Sequence, residues 1–346
     1  MTENGQRSRP IRLTDVADSV GVSRATASLV MRDSPRVAAA TRERVLAAAE
    51  RLGYVYNRSA ASLRMSRTHT VGLVVTDITN SVFAEIAIGV ETALAKAGYI
   101  VLLANTFDDV DRQQAILNAL AEHRVDGVVL VPAIRTQPEA LRGLFTSRTP
   151  LVLATRYVLG ADASYVGPDD VTGGGLAAEH LLGHGCQSAA YFGGQVGATA
   201  RGDRREGFLS TFRAGGGNVD RRWCVDFEPT TRAGYTHTRH LLAEGPLPGG
   251  LLCHSDAVAF GVMRALHEAG MGAPLGSRII GFEDVHMARM SIPSLSSLSV
   301  EPLELGRLTG RTLLRQMRGL PADMRTTPTP QLRRRESCGC AGLSRS

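Results

Sequence analysis

From Thr70 onward the chain repeats one unit: a short apolar run suited to a buried strand, then a stretch long enough for a helix. Thr70-Val-Gly-Leu-Val-Val75 is followed by Phe83, Ile86, Ala87, Val90, Ala93, Leu94 and Ala97, whose three- and four-residue spacing gives a helix one buried face, and Gly98 ends it. Further strands are expected near 99–104, 127–131, 151–154, 189–193, 250–253 and 278–282, separated by helix-length segments such as 111–123, 174–182, 204–214 and 256–269. Strands of parallel, doubly wound sheets are buried on both faces and so read as continuous apolar runs. About 260 residues of this pattern is large for one sheet. Two similar α/β subdomains with a cleft between them are the economical arrangement, with ligands expected at the carboxyl ends of the strands.

Before Thr70 the pattern is helical. Thr14 is expected to cap a first helix, Asp15 to Val20; Gly21 makes a turn; Ser23 caps a second helix running to about Met31; a third runs from about Ala39 to Leu52 and stops at Gly53. Small Ala17 lets the first two helices approach, while Val20, Ala27 and Val30 fill their seam, the spacing of a helix-turn-helix. Ser23, Arg24, Ala25, Thr26 and Leu29 are left on the outer face. Residues 1–70 hold twelve arginines and six acids, which accounts for the whole formal charge of +6, and the rest is balanced at 27 of each sign. A polyanion such as nucleic acid is the natural partner of that first fifth. Residues 54–69 hold few apolar side chains and read as a linker that orders on binding.

No apolar run approaches the ~20 residues of a membrane span, and the polar N-terminus has no secretory signal, so a cytoplasmic protein without a membrane partner is expected. The five cysteines, 186, 224, 253, 338 and 340, then read as free thiols.

Leu13-Thr-Asp-Val-Ala-Asp-Ser-Val-Gly-Val-Ser-Arg-Ala-Thr-Ala-Ser28, Thr41-Arg-Glu-Arg-Val-Leu-Ala-Ala-Ala-Glu-Arg-Leu-Gly-Tyr-Val55 and Asn57-Arg-Ser-Ala-Ala-Ser-Leu63 closely resemble the headpiece and hinge of the lactose/galactose-repressor (LacI/GalR) family. The resemblance continues through Gly72-Leu-Val-Val-Thr-Asp-Ile-Thr-Asn80, Arg124-Val-Asp-Gly-Val-Val129, Gly281-Phe-Glu-Asp284 and Arg335-Glu-Ser337. It implies an all-α helix-turn-helix headpiece over 1–56, a hinge helix and linker over 57–69, a two-lobed effector-binding and dimerisation domain similar to periplasmic sugar-binding proteins over 70–332, and a C-terminal tail over 333–346. The implied DNA-facing residues are Thr14, Ser23, Arg24, Ala25, Thr26, Ser28 and Leu29, with Asn57, Arg58, Ala60 and Leu63 in the hinge, Leu63 acting as a minor-groove wedge. Position carries an effector role to Arg204, Asp256 and Glu283, with Asn80, Phe83, Arg156 and Phe227 as further candidates. Four positions depart from the family's habit: Tyr56 replaces the proline before the hinge, Leu29 stands where many members have arginine, Glu283 replaces an aspartate, and Thr155-Arg156 replaces Asp-Arg.

Catalytic chemistry has no signature. Nine histidines include no His-Glu-x-x-His, there is no Gly-x-Ser-x-Gly elbow, and Gly173-Gly-Gly175 is not followed by the Lys-Ser/Thr of a phosphate loop. Cys338-Gly-Cys340 reads as inert, because two ligands lack a partner His or Cys pair in the sequence. No catalytic residue, metal or cofactor is expected. The expectation is a transcription regulator, most readily a repressor, working as a homodimer on a pseudo-palindromic operator under control of a small-molecule effector such as a sugar. The rival readings are a cytoplasmic small-molecule binding protein without a DNA role and an α/β enzyme with a helical appendage.

Overall fold

The computed structural model describes residues 9, 11–54, 67–142 and 149–340. The chain forms two compact units, Met1–Thr68 and His69–Ser346.

In the first unit, helices α1 (Leu13–Ser19), α2 (Arg24–Met31) and α3 (Ala39–Leu52) enclose a small core of Val16, Ala17, Ala27, Val30, Val45, Ala48 and Ala49. Ala17 and Ala27 are buried at the α1–α2 seam, Val20 packs on its edge, and Gly21 makes the turn at φ 67°. Ser23 caps α2, its Oγ accepting the Thr26 N–H at 3.1 Å. Thr14 does not cap α1. The helix starts one residue before it, the Asp15 carboxylate accepts the Arg12 N–H at 2.7 Å, and Thr14 is an exposed first-turn residue. The hinge residues Asn57, Arg58, Ala60 and Leu63 lie outside the described residues.

The second unit begins with β1 (Thr70–Val75), α4 (Ser81–Ala95), β2 (Ile100–Asn105), α5 (Val110–Glu122), β3 (Gly127–Leu130), α6 (Pro138–Leu141), β4 (Leu151–Ala154) and β5 (Ser164–Val166). It continues through α7 (Asp170–Gly183), β6 (Ser188–Phe192), α8 (Thr199–Ala214), β7 (Asn218–Val219), α9 (Thr231–Glu244), β8 (Gly250–Cys253) and α10 (Asp256–Glu268). It ends with β9 (Arg278–Glu283), α11 (His286–Met290), β10 (Ser296–Ser299), α12 (Pro302–Met317), β11 (Arg325–Thr326), β12 (Gln331–Arg333) and a 3-10 turn at Glu336–Cys338. Two six-stranded sheets result, in the orders β11-β5-β4-β3-β1-β2 and β12-β10-β9-β8-β6-β7. All pairings are parallel except β10 with β12, where Leu298 faces Leu332. The chain passes between the lobes three times, after β5, after β10 and after β11.

The buried runs Val71–Val75, Val128–Val131, Val152–Ala154 and Leu251–Cys253 are the apolar stretches the sequence shows, and each sheet has a core on both faces. Strands β5, β7, β11 and β12 are two or three residues long, too short to leave a periodic signal. Residues 333–340 are not a tail. Gln331–Arg333 forms an edge strand, and the next turn buries Ser337 and Cys338 completely in the second lobe.

Helices α7 and α8 cross with almost no side chain between them. A Cβ on Gly174 would strike the Arg204 carbonyl, and one on Gly207 would strike that of Val171. Gly174, within the Gly173–Gly175 run, thus serves close packing, and the approach brings Arg204 onto the first residue of α7.

Candidate functional site

The carboxyl ends of both sheets face one cleft with a cavity volume of about 730 Å³. Strand ends supply its walls: Thr76 and Asp77 after β1, Thr155 and Arg156 after β4, His254 and Ser255 after β8, and Glu283 at the end of β9. Asn80 and Phe83, at the start of α4, line the first lobe's side. Asn80 Oδ1 accepts the Val82 N–H at 3.1 Å, and its amide favours the ionised form of Glu283 in the opposite lobe. Phe107, 65% exposed, and Phe260 add apolar surface. Thr155 and Glu283 both hold positive φ, 57° and 111°, unfavourable backbone of the kind that gathers at ligand sites.

Both arginines lining the cavity are paired. Arg204 is buried; its Nε donates to Asp170 Oδ1 at 2.7 Å, an Nη donates to the His254 carbonyl at 2.8 Å, and its guanidinium lies 3.8 Å from the Phe282 ring centre. Arg156 donates to both carboxylate oxygens of Asp108 at 2.9 and 3.1 Å, and the Ile134 N–H also donates to Asp108 at 2.8 Å. The sequence reading missed both carboxylates. Asp170 had a signal, as it opens a helix after Pro168 and Asp169; Asp108 had none, because its loop reaches Arg156 only through the fold.

The acids and bases here are displaced from their ordinary ranges. Burial pushes Asp170 up to about 6 even with Arg204 opposing the shift, and desolvation in the cleft wall pushes Glu283 up to about 7, again against Arg204. Burial, then Arg204, Arg156 and Arg201, holds His254 well below the usual histidine range, so it is neutral, with Nδ1 at 2.7 Å from the Tyr191 hydroxyl. The site therefore offers neutral and near-neutral hydrogen-bonding groups around two compensated cations.

Two expected residues stand behind the wall. Asp256 is fully buried outside the cavity lining, Oδ1 accepting from Ser297 Oγ at 2.6 Å and Oδ2 from the Val285 N–H at 2.8 Å. Both oxygens are spent on the turn that presents Glu283. Phe227 stacks on His237, with centroids 4.4 Å apart, and packs edge-on against Phe192. Its neighbours Glu228 and Pro229 line the cavity instead. Asn80, Phe83, Arg156, Arg204 and Glu283 do line it.

A second candidate surface is the outer face of α2, where Ser23, Arg24 and Ala25 are exposed and Thr26, Ser28 and Leu29 are half-buried.

Residues 12–57 match the family described as bacterial regulatory proteins, lacI family, and residues 178–338 match the periplasmic binding protein-like domain. The ribose operon repressor of Halalkalibacterium halodurans is 32% identical over 90% of this chain and 92% of its own length. The chain belongs to the LacI family. The HTH-type transcriptional repressor PurR of Haemophilus influenzae is 31% identical over 94% of this chain and 98% of its own. Among solved structures, a CelR–cellobiose complex is 29% identical at a TM-score of 0.71, covering 94% of this chain and 99% of that one. The Lac repressor dimer bound to operator and an anti-inducer shares the fold, with a TM-score of 0.85 at 22% identity, covering 95% and 99%. This LacI-family member is thus a DNA-binding transcriptional repressor and not an enzyme. No helix among the described residues is long and apolar enough to cross a membrane.

Proposed function

We propose that this repressor acts in the cytoplasm as a homodimer on a pseudo-palindromic operator, and that a small neutral polyhydroxylated ligand, a sugar or related metabolite, controls it from the interlobe cleft. The pairing of the cleft's cations carries this reading. Arg156 and Arg204 are each neutralised by a carboxylate, so an anionic ligand would have to displace Asp108 or Asp170, whereas hydroxyls can use the amide, carboxylate and hydroxyl groups between Phe83, Phe107 and Phe260. The names of the ribose operon repressors and the CelR–cellobiose complex support the same ligand class. Asn80, Phe83, Arg156, Arg204 and Glu283 contact the ligand, and Asp256 and Phe227 hold the wall from behind.

Calorimetry against neutral sugars, sugar phosphates and purine bases tests this. A neutral sugar binding in the micromolar range is expected; tighter binding of a phosphate ester or a purine overturns it.

On DNA, α2 enters the major groove with Arg24 toward the bases, and the hinge residues Asn57, Arg58, Ala60 and Leu63 engage the centre of the site. An unpaired sheet edge supports the dimer: β2 is the outer strand of the first sheet and exposes Ile100, Leu102 and Leu103, with Ile88 of α4 also exposed. Gel shifts with operator fragments selected from the source genome, with and without the sugar found by calorimetry, test the coupling. Binding of a symmetric site that the sugar alters is expected.

A further inference from the structure

Away from the cleft, four side chains with the donor set of a structural metal site converge at the far end of α7. His180 lies in the last turn of that helix and His184 caps it, so the two imidazoles stand on one face four residues apart, their ring centres separated by 4.6 Å. Cys338 ends the 3-10 turn and is fully buried. Gly339 follows at φ 83°, a left-handed turn that only glycine makes without strain, and it brings Cys340 back to the same place. The four ligand atoms all lie within 4.8 Å of one another. His180 Nε2 is 3.2 Å from Cys338 Sγ and 3.7 Å from Cys340 Sγ, and His184 Nε2 is 3.3 Å from Cys340 Sγ.

A tetrahedral ion with Zn–S near 2.3 Å and Zn–N near 2.0–2.1 Å sets its neighbouring ligand atoms about 3.3–3.8 Å apart. The three His–Cys separations fall in or within a tenth of an ångström of that window, and the whole set, spread over no more than 4.8 Å, needs only a small contraction to close on one ion. We propose that His180, His184, Cys338 and Cys340 form a Cys2His2 site for one zinc ion, which ties the last residues of the second lobe to α7. The pair that Cys338-Gly-Cys340 lacks in sequence is supplied by the fold from about 160 residues earlier. Two soft thiolates with two imidazoles in tetrahedral array select zinc over the oxygen-seeking cations. Second-sphere support is in place, because the Ser296 hydroxyl donates to Cys338 Sγ at 3.0 Å. A hydrogen-bonded thiol cluster without metal would need only one such His–Cys contact, whereas here each histidine meets a cysteine and Cys340 meets both.

The test measures zinc per chain in full-length protein purified under reducing conditions, then titrates the metal-free protein with Co2+ and with Zn2+. One zinc per chain is expected, together with the visible bands of tetrahedral Co2+, thiolate charge-transfer absorption, and a higher Tm with zinc than without. His184→Ala and Cys340→Ser, at partly buried positions, should each weaken binding by on the order of 100-fold or more, while Cys186→Ser, a nearby buried thiol outside the cluster, leaves it unchanged. Circular dichroism of the same variants separates lost ligation from lost folding. A folded wild-type chain that takes up neither metal overturns the proposal, as does metal uptake that persists in both ligand variants.

Discussion

Arg204 joins stability to the proposed ligand recognition at one side chain. Its fork holds Asp170 and the His254 carbonyl while its face covers Phe282, so truncation removes a buried cation, two hydrogen bonds and a ring contact together. Arg204→Ala should cost about 3–5 kcal/mol in urea unfolding, since it strands a buried carboxylate, and should weaken ligand binding at least about tenfold by calorimetry. Glu283 yields a prediction of pH dependence. Its folded value near 7 lies above the ordinary 4.5, so the folded chain holds that proton more tightly than the unfolded chain. Its contribution to stability is fully present below about pH 4.5 and is lost as pH rises to about 7, a change on the order of 3 kcal/mol. Asp170, raised to about 6, acts in the same direction. Glu283→Gln should flatten the fall in unfolding free energy between pH 5 and about 7.5; an unchanged slope would assign that fall to other groups.

At the scale of elements, the crossing of α7 and α8 decides whether Arg204 meets Asp170 at all. Gly207→Ala inserts a methyl where the Val171 carbonyl already sits, and rigid backbone leaves no room to absorb it. The helices must separate, which should cost about 1–3 kcal/mol and lower ligand affinity through the misplaced Arg204, although residue 207 touches no ligand. Guanidinium unfolding and calorimetry on the same variant check both effects. Loss of stability with unchanged affinity would mean that the cleft tolerates the shift. The lobes also meet beside the cleft, where the Tyr157 hydroxyl donates to Asp203 at 3.1 Å and the Tyr157 N–H donates to Thr199 Oγ1 at 3.2 Å.

For the whole molecule, one recognition helix reads only a few base pairs, so the operator specificity proposed above calls for two paired copies. The exposed apolar residues of β2 make that dependence testable away from DNA. Leu102→Glu places a charge on an edge that two copies would bury, and should give a monomer by sedimentation, with operator affinity falling by about 100-fold or more in gel shifts. The folded sensor should still bind its ligand. A dimer that persists in this variant would place the interface on another face.

The elements legible along the chain are those whose signal is local. Long apolar runs announced β1, β3, β4 and β8, three- and four-residue spacing announced α4, and Ala17, Gly21 and Ser23 announced the helix-turn-helix, because backbone propensity, capping and amphipathic burial act over a few residues. Position in recognisable family motifs brought Asn80, Phe83, Arg156, Arg204 and Glu283 forward, a signal distinct from local chemistry. Local chemistry was not enough for strands of two or three residues, for the antiparallel edge at β12, or for the start of α1, which lies at Leu13 and not after Thr14. Tertiary structure alone decided the partners. Asp108 reaches Arg156 across 48 residues, Asp170 reaches Arg204 across 34, and Asp256 turns away from the cavity to hold Ser297 and Val285. The same holds for the two histidines and two cysteines at the end of α7, which are unremarkable in order along the chain. Burial of charge and convergence of ligands depend on distances through space, and those exist only once both sheets have folded and the chain has crossed between them for the third time.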